Sequence, residues 1–192
     1  YAWQVSILGL GPVWMSKNEE VTKKTAQHLQ YGRIFGFGLS EREHGADIYS
    51  TDMLLKPQAD GTYLAEGDKY YIGNANQAVV VSTFGKIAGT GEYVFFPVDS
   101  HHEKFELVRN VVASQMYVAQ YNLHDYPINE SEILERGQEA WDASLNTVNV
   151  GKFNLGWATI GICTHSFYES INHASHRILF GKPVTEFSQV KQ

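Results

Sequence analysis

RIFGFGLSEREHGAD, residues 33–47, joins an apolar run, Arg33 to Leu39, to a segment that packs five ionisable side chains into positions 38–47. The apolar half reads as a strand, and the charged half as a loop at its end. Gly36 and Gly38 form a Gly-x-Gly, as do Gly89 and Gly91, but a dinucleotide-binding fingerprint needs a third glycine and a helix that follows at once. The plainer reading is that the first pair relieves crowding within a strand and the second closes a hairpin.

Upstream of this stretch the signals are helical. Asn18 suits an N-cap, Glu19 and Glu20 fall in the first turn, Val21, Thr25 and Leu29 share one face, and Gly32 supplies a stop. Residues 1–8 read as part of a further apolar helix. Downstream, short alternating or apolar runs rich in Tyr, Phe and Val are punctuated at 59–62, 66–68 and 89–91. These predict strands near 33–39, 50–56, 62–66, 69–73, 78–85, 92–97, 105–111 and 115–124. So many short strands without intervening helices point to an antiparallel sandwich or barrel.

From Ile133 onward the texture is helical again. Leu155, Ala158, Thr159, Ile162, Cys163, Ser166, Phe167 and Ser170 trace a stripe at helical spacing whose small residues suit packing on another helix. The helix runs to about Arg177, Gly181-Lys-Pro183 breaks it, and another starts near Thr185. His165, Glu169, His173 and His176 share a face and are metal-ligating types, yet any amphipathic helix shows such a polar face, and no metal is assigned. His101-His102 reads as a turn pair. The fold class is α+β: an antiparallel β-barrel or sandwich middle domain, residues 33–128, between helices of residues 1–32 and 129–192.

Composition narrows the functional classes. The 192 residues are 43% hydrophobic, enough for a real core. Fifteen basic residues against twenty-one acidic, net −6, argue against a nucleic-acid partner, which needs clustered Lys and Arg. The single Cys163 forms no internal disulfide and favours a cytoplasmic location. No apolar run has the length of a membrane span, no secretory leader is evident, and both ends look cut inside helices. Neither a Gly-x-Ser-x-Gly elbow nor a Cys-His signature supports covalent hydrolysis.

The charged segment Ser40-Glu-Arg-Glu-His-Gly-Ala-Asp47, the later Gly67-Asp-Lys-Tyr-Tyr-Ile-Gly-Asn-Ala75, and Arg177-Ile-Leu-Phe-Gly-Lys182 follow one another in the order of three motifs. In this the chain resembles the acyl-CoA dehydrogenase family of FAD-dependent enzymes. That family carries Thr-Glu-Pro-x-Ala-Gly-Ser-Asp at a strand end, Gly-x-Lys-x-Trp-Ile-Thr-Asn on a later strand, and Arg-x-x-Phe-Gly-Lys at a helix end. The resemblance covers nearly the whole chain and implies FAD as cofactor and an acyl-CoA as substrate. It also implies a homodimer or homotetramer and an electron-transfer flavoprotein as redox partner.

The resemblance carries family roles to individual residues. Ser40 falls on the threonine that holds the pyrimidine edge of the flavin and keeps its hydroxyl. Gly45, Ala46 and Asp47 fall on the Gly-Ser-Asp near the pyrophosphate, where Ala46 offers only a backbone N–H. Tyr71 takes the place of the tryptophan that packs on the isoalloxazine. Gly73 replaces the threonine beside flavin N5 and has no side chain to donate. Arg177 matches the arginine that reaches the pyrophosphate of a neighbouring subunit's flavin, and Phe180 the aromatic beside its adenine. Arg42, Glu43 and His44 are expected to point to solvent.

The family's catalytic base is a glutamate that in most members lies in a C-terminal region beyond Gln192. A minority place it at the position of Gly151, and no acid occurs between Gly151 and Tyr168. The resemblance therefore implies α,β-dehydrogenation of an acyl-CoA by a protein of which this chain holds part. Two alternatives stay open. His44-Gly45, with the side chains missing at Ala46 and Gly73, is similar to the acyl-CoA oxidases. The same losses also fit a paralogue that binds an acyl group or a protein without catalysis.

Overall fold

The structure, a computed structural model, describes residues 2–113 and 117–191. Helices α1 (Ala2–Met15) and α2 (Glu19–Gln30) lead into strand β1 (Phe35–Gly38), a 3-10 turn (Ile48–Ser50) and strands β2 (Leu54–Pro57) and β3 (Tyr63–Gly73). Next come β4 (Val80–Ile87), β5 (Tyr93–Asp99), β6 (Phe105–Asn110), β7 (Val118–Ile128) and β8 (Glu135–Arg136). Helix α3 (Gly137–His176), the short strands β9 (Ile178–Leu179) and β10 (Lys182–Pro183), and α4 (Ser188–Lys191) complete the chain. It divides into two compact units, Tyr1–Gly151 and Lys152–Gln192.

The first unit is built on an eight-stranded, mostly antiparallel sheet in the order β6-β7-β3-β2-β4-β5-β8, with β1 paired to β4. Two pairings are parallel, against the all-antiparallel expectation: β1 runs along Val80–Thr83 of β4, and β2 along Lys86–Ile87 of the same strand. Alternation of apolar and polar residues is the same in either direction, so the sequence pattern alone cannot register this. The strands expected at 62–66 and 69–73 are a single β3. Gly67 does not end a strand but sits at φ +142° in a bulge, where an added Cβ would lie 2.9 Å from Met53 Cα.

The strand expected from 50 begins only at Leu54, after the 3-10 turn, and the start of the one expected from 115 lies outside the described residues. Helix α3 starts at Gly137 and not at Ile133, because Glu135 and Arg136 first pair with Phe95 and Val94 of β5. Gly89 and Gly91, both with positive φ, close the β4–β5 hairpin as read.

The cap read at Asn18 is present: its Oδ1 accepts the Val21 N–H at 3.1 Å, while its Nδ2 donates to the Ser131 carbonyl at 2.6 Å. Helix α1 lies directly on β1. A Cβ at Gly9 would meet the Gly36 carbonyl oxygen at 2.6 Å, the Ser6 hydroxyl accepts the Phe35 N–H at 3.1 Å, and the Ser82 hydroxyl donates to the Gly9 carbonyl at 2.6 Å. Val13, Val21, Phe84, Phe95, Leu134, Ala140 and Ala143 then form one core between these helices, the sheet and the first turns of α3. Each fully buried Phe there contributes roughly 1.5–3 kcal/mol through area removed from water.

In the second unit the rest of α3 is exposed on nearly every side, including the small-residue stripe that the spacing suggested would pack on another helix. Among the described residues of that unit, the only other α-helix is the four-residue α4, too short to cover it.

Candidate functional site

The residues singled out after β1 lie beside the end of β3. The Ser40 carbonyl accepts the Tyr70 N–H at 3.0 Å, and the Leu39 carbonyl accepts from Lys69 Nζ at 3.0 Å. Tyr71 follows in the second bulge of β3, where pairing with β7 shifts between Lys69 and Ile72. Its φ is +63°, a left-handed conformation that costs a non-glycine residue on the order of 1–3 kcal/mol. In return, the ring stands out from the strand, 59% exposed. Gly73, half-buried, ends β3, and its carbonyl oxygen would sit 3.3 Å from a Cβ at Gly36, so the two strand ends approach closely.

The loop beyond Ser40 is ordered by its own charges. Arg42 and Glu43 face solvent as expected. His44 does not: its Nε2 lies 2.7 Å from Asp52 Oδ2, because a carboxylate at the entry to β2 comes within reach of the loop. That hydrogen bond raises the imidazole above its ordinary value, reinforced by the charges of Asp52, Glu41 and Asp47. Gly45, Ala46 and Asp47 are exposed, and Asp47 Oδ2 accepts the Ser50 hydroxyl at 2.7 Å.

Beneath the loop lies a cluster that sequence reasoning missed. Glu41 is buried, and its Oε2 accepts the Asp52 N–H at 2.7 Å, while Oε1 accepts the Thr51 hydroxyl, the Met53 N–H at 3.3 Å and Lys69 Nζ at 2.7 Å. Burial opposes ionisation of Glu41, but Lys69 and the donors of Thr51 and Asp52 outweigh it and hold the carboxyl below its usual range. Burial also pushes Lys69 below the ordinary lysine value, with Glu41 acting against it. The one signal available in the sequence was position, since Glu41 and Lys69 fall on the Glu and the Lys of the first two motifs.

Among the described residues, metal-ligating atoms converge only at Glu41, His44 and Asp52. Both Glu41 oxygens already accept donors, Lys69 among them, so the cluster is a hydrogen-bonded one and not a cation site. The His165, Glu169, His173 and His176 face brings no such atoms together, and His176 Nδ1 bonds back to the Asn172 carbonyl at 2.8 Å.

Arg177 and Phe180 belong to the second unit. Arg177 directly follows α3; its N–H donates to the His173 carbonyl and its carbonyl accepts the Val184 N–H, both at 2.9 Å. Its side chain is exposed, and Phe180, at φ +52° in the turn between β9 and β10, is 95% exposed.

An apolar cavity of about 210 Å³ opens between α1 and the first half of α3, lined by Ile7, Gly11, Trp14, Met15, Thr147 and Val150. Asn74 Nδ2 holds the N-terminus of α1 at the Ala2 carbonyl, 2.9 Å away, right beside Gly73. At 1.5 Å per residue the cavity begins about 8 Å along the helix from that point.

No protein-family profile matches the chain. Individual proteins do. It is 22% identical over 186 residues to the short-chain specific acyl-CoA dehydrogenase of Megasphaera elsdenii, an alignment covering 93% of this chain and 49% of that protein. It is 24% identical over 186 residues to an acyl-CoA dehydrogenase of Bacillus subtilis, covering 92% and 48%. The fold agrees: the butyryl-CoA dehydrogenase structure from Megasphaera elsdenii superposes with a TM-score of 0.89 at 18% identity, over 99% of this chain and 52% of that one. In sequence and in fold the chain is similar to the acyl-CoA dehydrogenases. An acyl-CoA dehydrogenase from Bacillus anthracis, solved in complex with FAD, superposes with a TM-score of 0.86 at 24% identity, over 96% of this chain and 32% of that one. The chain spans about half the length of the curated relatives it matches. No helix among the described residues is long and apolar enough to cross a membrane.

Proposed function

We propose that the full-length protein carries out FAD-dependent α,β-dehydrogenation of an acyl-CoA thioester. In this reading residues 1–32 close an N-terminal helical domain, 33–128 form the middle β-domain, and 129–192 begin a C-terminal helical domain. The observation that carries it is the edge where Ser40 meets the bulge of β3: an exposed aromatic ring held in a strained backbone, next to a serine whose hydroxyl has no hydrogen-bond partner among the described residues. Strain of this kind persists only where the surrounding structure over-determines it, and it clusters at ligand sites.

These residues fit a flavin. Ser40 would hold its pyrimidine edge through hydroxyl and backbone, Tyr71 would offer a π-face, and the N–H groups of Gly45 to Asp47 would face phosphate. The flavin, when bound, supplies the hydride acceptor. Arg177, whose planar fork matches phosphate oxygens, and Phe180 would reach a flavin in a second copy of the protein. The cavity between α1 and α3 has the apolar walls an acyl chain needs. The carboxylate that takes the α-proton would come from beyond Gln192, since residues 152–167 contain no acid.

Gly73 favours a second reading, an acyl-CoA oxidase, because the absence of a side chain there leaves room for oxygen. Relatives point both ways: one is named a caffeyl-CoA reductase–Etf complex subunit, from Acetobacterium woodii, and one fold neighbour a prolyl acyl carrier protein oxidase. An electron-transfer flavoprotein would be the acceptor in the first case and oxygen in the second. A third reading, an acyl- or protein-binding paralogue without the cofactor, rests on Ala46 and Gly73.

Anaerobic addition of acyl-CoA to the FAD-loaded full-length protein tests these readings. Bleaching that persists in air until an electron acceptor is added supports the dehydrogenase. Rapid recovery in air supports the oxidase. A protein that takes up no FAD, yet folds, supports the binding paralogue.

A further inference from the structure

Three ties converge on one residue. Lys69 Nζ donates to the Leu39 carbonyl at 3.0 Å, to Glu41 Oε1 at 2.7 Å and to Thr51 Oγ1 at 3.4 Å, so the three N–H donors of the ammonium meet three acceptors. The Glu41 carboxylate accepts in turn from Thr51, Asp52 and Met53 at the entry to β2. Both side chains are sealed from solvent, Lys69 at 0% and Glu41 at 3% exposure. Ser40 lies between Leu39 and Glu41, and its own carbonyl is held by the Tyr70 N–H.

The residue before Ser40, the residue after it and its carbonyl are thus all fixed to β3 or to the start of β2. What is left free among the described residues is the Ser40 hydroxyl together with its own N–H. A buried ion pair is a poor way to gain stability, because apolar residues of the same volume serve as well or better. Its value lies in geometry: charges with every donor and acceptor satisfied permit one arrangement and penalise the rest.

We propose that Glu41 and Lys69 are positioning residues, a buried clamp that fixes the peptide on both sides of Ser40 so that its hydroxyl is presented in one orientation to a ligand at this edge. The identity of that ligand as FAD rests on the reading above; the clamp itself does not. The two residues touch no ligand and act only through Ser40.

The test is the double variant Glu41→Gln with Lys69→Met in the full-length protein, which removes both charges together and avoids stranding one in the interior. Hydrogen exchange of the Tyr70 amide, whose acceptor is the Ser40 carbonyl, is expected to speed up by at least about tenfold, while the amides of Phe84 and Phe95 in the β4–β5 core keep their rates. The FAD dissociation constant is expected to rise by up to about fivefold, the worth of the one hydrogen bond that a misplaced Ser40 hydroxyl loses. Ser40→Ala serves as the reference: weaker FAD binding with unchanged Tyr70 exchange.

An unchanged Tyr70 exchange rate overturns the clamp, whatever happens to FAD. Faster exchange with unaltered FAD affinity reduces the pair to a structural tie and overturns the positioning role. If the wild type binds no FAD, the flavin reading fails, and the exchange rates still decide whether the pair holds Ser40.

Discussion

The Ser40 carbonyl accepts the N–H of Tyr70 at 3.0 Å, which ties the loop leaving β1 to β3 one residue before Tyr71 turns out of the strand at φ +63°. Replacing Tyr71 by Gly separates strain from binding. Tyr71→Gly removes the left-handed penalty, so stability should hold or rise by about 1 kcal/mol, while FAD affinity falls with the loss of the ring. Denaturant unfolding and FAD titration of the same variant check both halves.

Gly9 is where α1 touches β1, and a Cβ there would lie 2.6–2.9 Å from the backbone of Gly36. Backbone cannot move aside as a flexible side chain can. Gly9→Ala should therefore destabilise the protein by roughly 1–3 kcal/mol, seen as a lower urea midpoint with an unchanged m-value.

Acid should loosen the loop after β1 ahead of the β4–β5 core. The Glu41 carboxyl is held below its reference of 4.5 in the folded protein, so its contribution is present above that value and is lost as pH falls through the lower folded one. Exchange of the Asp52 and Met53 amides, which donate to Glu41, should accelerate there first. Equal acceleration throughout the sheet would contradict this.

His44 titrates on the other side of neutrality. Its pairing with Asp52 raises it above 6.5, so the tie between residues 44 and 52 is complete below 6.5 and is lost as pH rises through the elevated value. An NMR titration of the His44 ring should place its midpoint above 6.5, and Asp52→Asn should bring it back down.

Much of this was legible in the sequence, and the gaps have physical causes. Asn18 and the glycines 89 and 91 announced themselves because caps and hairpin turns need those residue types. Gly67 misled, since a glycine that ends a strand and one that bulges it look alike in sequence. The parallel pairing of β1 and β2 with β4 was invisible, because side-chain alternation carries no strand direction. Ser40, Tyr71 and Gly73 are singled out by the resemblance alone, and the structure ties Ser40 to β3 through the Tyr70 N–H. Glu41 and Lys69 were passed over because charged residues in a loop and a strand are usually solvated, and only burial distinguishes these two.

Arg177 is exposed, so its replacement should leave stability within about 0.5 kcal/mol. If it reaches the pyrophosphate of a flavin in a second copy, Arg177→Ala should weaken FAD binding clearly, and Arg177→Lys should restore only part, for want of a bidentate fork. Calorimetric FAD titration of the three proteins decides it.

The most direct test of the account is the visible absorption spectrum of the full-length protein titrated with FAD, with Ser40→Ala beside it. The account predicts a protein-bound flavin band that saturates at one FAD per chain, with affinity about fivefold weaker in the variant, the worth of one hydrogen bond. A folded wild-type protein that shows no bound flavin at saturating FAD would contradict it.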